Sequence, residues 1–183
     1  MDKPDKKVIR TEARKLLKEG ISRQTAYENL KTKYKNGKIV ADLIKNLPSL
    51  EAIKLYGKWN YMLLSLLILT AGLYMYASPS IGIVLWYGIL IYGVARMLLK
   101  YYMWVAAMAA FGLIVSIVGI IFSGTDSLNW AAAVLVVCLN IPSLILPIWL
   151  EKRLCPKPSE RKEKYTNKQG QQRMKVIYEF KDV

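Results

Sequence analysis

Residues 61–150 read YMLLSLLILTAGLYMYASPSIGIVLWYGILIYGVARMLLKYYMWVAAMAAFGLIVSIVGIIFSGTDSLNWAAAVLVVCLNIPSLILPIWL, and they carry only three formal charges: Arg96, Lys100 and Asp126. A helix needs about 17 to 25 apolar residues to span hydrocarbon. This stretch supplies four such blocks, at about 61–77, 81–99, 104–122 and 128–150. Trp59 and Tyr61 open the first block, and Tyr74 and Tyr76 close it. Aromatic pairs of this kind mark the two membrane–water interfaces. Ser78–Ser80 and Ser123–Asp126 read as turns, with Asp126 or Ser127 placed to cap the fourth block. Between blocks two and three the chain offers no Gly, Pro or Asn for a turn. An unbroken helix over 81–122 would be about 60 Å long, twice the hydrocarbon thickness. A tight hairpin at the charged Arg96–Lys100 join is therefore expected.

The flanks have the opposite character. Of 27 Lys and Arg residues, 15 precede Tyr61, two lie at the central join and 10 follow Leu150. The other two connections have none, so the positive-inside rule places both termini and the central join in the cytoplasm. Four spans require both ends on one side, and the charge pattern agrees. No hydrophobic region of signal-peptide type precedes the first block, which is expected to serve as both targeting signal and retained anchor.

Residues 1–58 read as a basic cytoplasmic helical module. Val8, Ile9, Ala13, Leu16 and Leu17 recur at helical spacing up to Gly20. Ser22 can cap a second helix bearing Ala26, Tyr27, Leu30 and Tyr34, which Asn36-Gly37 ends. A third carries Ile39, Val40, Leu43, Ile44 and Leu47, and Ser49 caps a fourth that heads for the membrane. A core of this size is marginal without further packing partners. Residues 151–183 form a basic tail, with Pro156 and Pro158 stopping the last helix. Within it, Met174, Val176, Tyr178 and Phe180 alternate as on a half-buried strand. A β-hairpin over 164–181, turning at Lys168–Gly170, and an unstructured tail both fit. The predicted fold is thus an all-α polytopic membrane protein: four transmembrane helices in a domain over 59–150, an N-terminal cytoplasmic helical module, and a short C-terminal cytoplasmic tail.

Chemistry is scarce. Histidine is absent, which removes the commonest general base and metal ligand. No carboxylate lies deep in a spanning block, and no phosphate loop or nucleophile motif appears, so no catalytic, cofactor or metal residues are assigned and the expectation is a non-enzymatic protein. Cys138 and Cys155 are expected as reduced thiols, the second at the surface. Asn140, Pro142 and Pro147 are the most informative intramembrane feature. The prolines free carbonyls in the last helix, and Asn140 needs a polar partner such as Ser116 or Thr70. Asn140, Pro142, Pro147 and Ser116 are accordingly candidates for a hinge or a pore lining, against a static kink. Arg96 and Lys100 are candidates for a pore mouth or for headgroup contact by snorkelling. Ala106, Ala110, Gly112 and Ser116 have the small-xxx-small spacing of a close helix-packing face, within the bundle or between subunits.

The net charge of +14 implies attraction to an anionic inner leaflet. The leading functional expectation is a homo-oligomeric membrane anchor or adaptor that couples a cytoplasmic protein partner or signal to the bilayer. The alternative is an oligomeric ion channel or membrane-permeabilising effector, for example of a prokaryotic defence system. A membrane-tethered nucleic-acid-binding protein ranks last. The run Gly20–Tyr27 loosely has the layout of a helix-turn-helix connection, but the lysines and arginines around it spread over several faces.

Overall fold

A computed structural model of the chain describes residues 6–77, 80–122, 127–166 and 172–180. The protein is mostly helical, with seven helices and one two-stranded sheet among the described residues. The chain divides into two compact units: Met1–Leu55 together with Lys152–Val183, and Tyr56–Glu151.

The first unit is built on α1 (Lys6–Lys18), α2 (Arg23–Tyr34) and α3 (Gly37–Ile44). Each boundary has a local cause. Gly20 takes φ +84 after α1, a conformation open to glycine. The Ser22 hydroxyl accepts the Thr25 amide at 3.1 Å and caps α2. Lys35 closes α2 in the left-handed region, and the next residue starts α3: Asn36 Oδ1 accepts the Ile39 amide at 3.2 Å. Ile9, Ala13, Leu17, Ala26, Tyr27, Leu30, Val40 and Ile44 form the core. The tail supplies an antiparallel hairpin, β1 (Ser159–Thr166) and β2 (Gln172–Glu179), in register from Ser159 opposite Glu179 to Thr166 opposite Gln172. It starts five residues before the expected Lys164. The expected turn at Lys168–Gly170 lies outside the described residues. Phe180, just past β2, is buried in the α1–α3 core, with Tyr178 packed beside it. The expected half-buried face is realised only at this end, since Met174 is 66 % exposed and β1 is exposed throughout. A two-stranded ribbon has no second layer of its own, so it is buried only where it meets the helices.

The second unit holds the apolar chain. α4 (Leu50–Ala77) starts in the first unit, where Ser49 Oγ accepts the Ala52 amide at 3.2 Å, and continues without a break, so the expected fourth module helix and first span are one helix. α5 (Ile81–Ala95), α6 (Leu99–Phe122) and α7 (Ser127–Leu154) follow. The expected turns at Ser78–Ser80 and Ser123–Asp126, with a cap from Asp126, fall on or next to positions outside the described residues. Among the described residues, three helices are long and apolar enough to cross a membrane: Leu50–Tyr76, Leu99–Val118 and Val134–Leu154. The fourth apolar helix, α5, has 15 residues and ends at Ala95, four short of the expected end at Leu99. Large apolar side chains face outward on this unit, with Ile81 80 % and Ile121 68 % exposed, as lipid-facing surface requires.

The break between α5 and α6 explains that shortening. The Leu98 amide donates to the Gly93 carbonyl and the Met97 amide to the Val94 carbonyl, both at 2.9 Å. With Met97 at φ +50, this is a Schellman closure in which methionine occupies the left-handed position normally given to glycine. The tight hairpin forms without any turn residue.

Candidate functional site

Two polar clusters lie inside the membrane unit. In the first, Asn60 of α4 donates through Nδ2 to the Val94 carbonyl at 3.2 Å, and its Oδ1 accepts the Tyr102 hydroxyl at 2.5 Å. Asn60 and Tyr102 are fully buried. The cluster therefore ties α4 to the last turn of α5 and the first of α6. Beside it, a Cβ placed on Gly93 would run into the Tyr101 ring, so the ring packs against bare backbone. The sequence reading passed over these residues. A buried Asn near a Tyr some forty positions away carries no local signal.

The second cluster contains Asn140. Its side chain is 1 % exposed, and its Nδ2 has no hydrogen-bond partner. With Thr70 and Ser143 it borders a cavity of about 10 Å³. The two hydroxyls do not bond to Asn140 as donors: Thr70 donates to the Leu66 carbonyl and Ser143 to the Leu139 carbonyl, each at 2.8 Å. Gly112 makes the approach possible, because a Cβ there would sit 2.6 Å from Tyr74 Oη and 2.9 Å from Asn140 Nδ2. α7 runs on as one helix through Pro142 and Pro147. Pro142 is half-buried and Pro147 buried, while Ser116 is half-buried and lies outside the cavity lining. Thr70, and not Ser116, is thus the residue brought to Asn140.

The other candidates are placed as follows. Ala106 is 4 % exposed and Gly112 is buried, so the small-residue face is used at least in part inside the chain. Ala110 and Ser116 are half-buried. Arg96 and Lys100 are exposed, and the Arg96 guanidinium lies 5.6 Å from the Tyr92 ring centre. Cys138 is exposed and Cys155 is buried, which corrects the expectation of a surface thiol at 155. Leu154 beside it is buried as well.

In the first unit the decisive residue is Arg23, only 1 % exposed. Its guanidinium donates to the Pro156 carbonyl at 3.1 Å and the Lys45 carbonyl at 3.3 Å, and lies 5.2 Å from the Phe180 ring centre. Next to it, Gln24 Oε1 accepts the Phe180 amide at 3.0 Å. Tyr27 contacts both the Tyr178 and Phe180 rings. The start of α2 is therefore occupied in holding the tail, whereas a recognition helix needs these first positions for base edges. Burial raises the Tyr27 phenol above its usual range, with Tyr178 and Glu28 adding to the rise. On the outer side, the Lys33 ammonium donates to Glu12 across α1 and α2 and holds that carboxyl below its ordinary value.

Among the described residues no group of three or more Cys, Asp or Glu side chains gathers to hold a metal. Comparison with protein-family models, with curated proteins and with solved structures found no match to this chain.

Proposed function

We propose that this protein is a non-enzymatic membrane adaptor, in which a cytoplasmic unit assembled from both chain ends receives a partner and a four-span base holds it at the bilayer. The observation that carries the reading is Phe180. It lies in the core built by α1–α3, so residues from both sides of the apolar region belong to one folded body. A folded body sits on one side of a membrane, and the chain between its halves must then cross an even number of times. Three long helices give an odd count. The fourth crossing falls to α5, whose 15 residues rise about 22 Å. That is less than the ~30 Å hydrocarbon thickness, a mismatch met by local thinning and by snorkelling of Arg96 at its end. The distribution of Lys and Arg supports the cytoplasmic side for the assembled unit.

The conducting alternative finds less support. The cavity beside Asn140 holds only about 10 Å³, too little for a hydrated ion, and Asn140 is buried among side chains of its own chain. A pore would have to form between copies, on surfaces other than the buried Ala106–Gly112 face.

Topology and function are tested together. Cysteines introduced at Ser80 and Thr125 should react with an impermeant maleimide from outside the cell, and one introduced at Lys164 should not. In liposomes the protein should pass no ions. Crosslinking of the full chain in native membranes should capture a cytoplasmic protein, lose it with Phe180→Ala, and keep it with Asn140→Leu. Labelling at Lys164 from outside would overturn the assembled cytoplasmic unit, and ion flux abolished by Asn140→Leu would favour the channel.

A further inference from the structure

A solvent-open cleft of about 670 Å³ lies in the first unit, between the α2–α3 turn and the hairpin. That is within the range of small-molecule sites, roughly 300 to 1,000 Å³. Lys31, Lys35 and Lys38 face it from one side, and among the described residues Glu160 is the only carboxylate in its lining. Three ammonium groups against one carboxylate leave two positive charges unmatched. Among the described residues none of the three lysines makes an ion pair, and Lys31 instead places its ammonium 5.2 Å from the Tyr27 ring centre. Gathering like charges at one cleft costs electrostatic energy that a single carboxylate in the lining does not fully offset.

The backbone at the turn adds to this arrangement. Lys35 is held at φ +53, a conformation disfavoured for a side chain with a Cβ. Its amide donates to the Lys31 carbonyl at 2.9 Å, and Asn36 then opens α3. The lysines thus flank the first turn of α3, where backbone N–H groups other than the Ile39 amide capped by Asn36 lack partners within the helix and favour an anion. Gly37 keeps that turn bare, since a Cβ would come to 3.0 Å from the Tyr27 hydroxyl. Tyr27 and Tyr178 supply aromatic walls, 6.2 Å between ring centres and nearly perpendicular.

The geometry points to a binding site for a phosphate-bearing ligand of about nucleotide size, with its phosphates held by Lys31, Lys35, Lys38 and the start of α3. The site is independent of the adaptor reading, because it rests on the first unit alone. Phosphate fits better than carboxylate, since several donors converge from different directions and a phosphate group offers three acceptor oxygens to meet them. A soluble phosphorylated metabolite and an anionic lipid headgroup share this chemistry.

The test uses the full chain in phosphatidylcholine nanodiscs, with hydrogen exchange read over residues 27–40. One arm adds ATP and, separately, pyrophosphate. A second uses discs containing phosphatidylglycerol. Protection on adding ATP or pyrophosphate identifies a soluble ligand, and protection only in phosphatidylglycerol discs identifies the headgroup. In either case the combined Lys31→Gln, Lys35→Gln and Lys38→Gln variant should weaken the effect at least about tenfold, the loss expected for several charge-assisted hydrogen bonds. A charge-matched control, Arg14→Gln, Lys15→Gln and Lys18→Gln on α1, should change it less than about twofold. Apart from the half-buried Lys31, both triple variants alter exposed residues, and circular dichroism checks that each remains folded. No protection in either arm, or equal weakening by both variants, overturns the site.

Discussion

Met97 and Arg23 show how far a single residue departs from what its type suggests. Methionine is ordinarily a core filler, yet Met97 closes α5 in the left-handed region at φ +50. That conformation costs a residue with a Cβ about 1 kcal/mol. Met97→Gly should therefore raise the stability of the membrane unit by about 0.5 to 1 kcal/mol in a detergent melt. Gly93→Ala should act in the opposite direction by about 1 to 3 kcal/mol, because the new methyl meets the Tyr101 ring and the ring must move. Arg23 is charged, yet it is buried and bonded to two backbone carbonyls. Removing hydrogen bonds made by a charged group costs about 1.5 to 3 kcal/mol. Arg23→Gln should accordingly loosen the tail, seen as faster proteolysis after Pro156. Nothing in the local sequence separates Arg23 from the exposed basic residues around it, since its acceptors lie 22 and 133 positions away.

At the scale of elements, the caps and stops were legible because they are local. Ser22 and Ser49, expected as caps, each bond an amide three positions on, and Asn36, expected only as a break, does the same; this depends on residue type and short spacing alone. The hairpin was legible as alternation, but its burial was not, because a ribbon acquires a buried end only from what it meets. Phe180→Ala should cost the first unit about 3 kcal/mol or more, read as loss of hydrogen-exchange protection across α1–α3. Tyr27, which packs against Phe180, makes the same interface sensitive to alkali. Its folded-state pKa lies above the ordinary 10.0, so the unfolded chain releases the proton first. Stability is then fully present below about pH 10 and falls as pH rises beyond it. Phenolate absorbance and circular dichroism followed together should show this loss, and Tyr27→Phe should lessen it.

At the scale of the whole molecule, composition carried most of the reading. Apolar runs, bare connections and flanking lysines are additive signals that need no knowledge of packing, and they identified a helical membrane protein with polar flanks. They could not show that the helix expected at the end of the N-terminal module and the first span are one continuous α4, because helix continuity depends on caps that were absent and not on hydropathy. Nor could they say which of Thr70 and Ser116 shares a cavity lining with Asn140, since either lies on a helix able to face α7. The sequence by itself determined where the chain is apolar and where Ser22 and Ser49 start helices. Tertiary structure alone decided that the two ends of the chain make one body through Arg23, Gln24 and Phe180, and that the lysines of the α2–α3 turn face a common cleft. The physical reason is range: capping and hydropathy act over a few residues, whereas these contacts join segments more than a hundred residues apart, or depend on where a hairpin comes to rest.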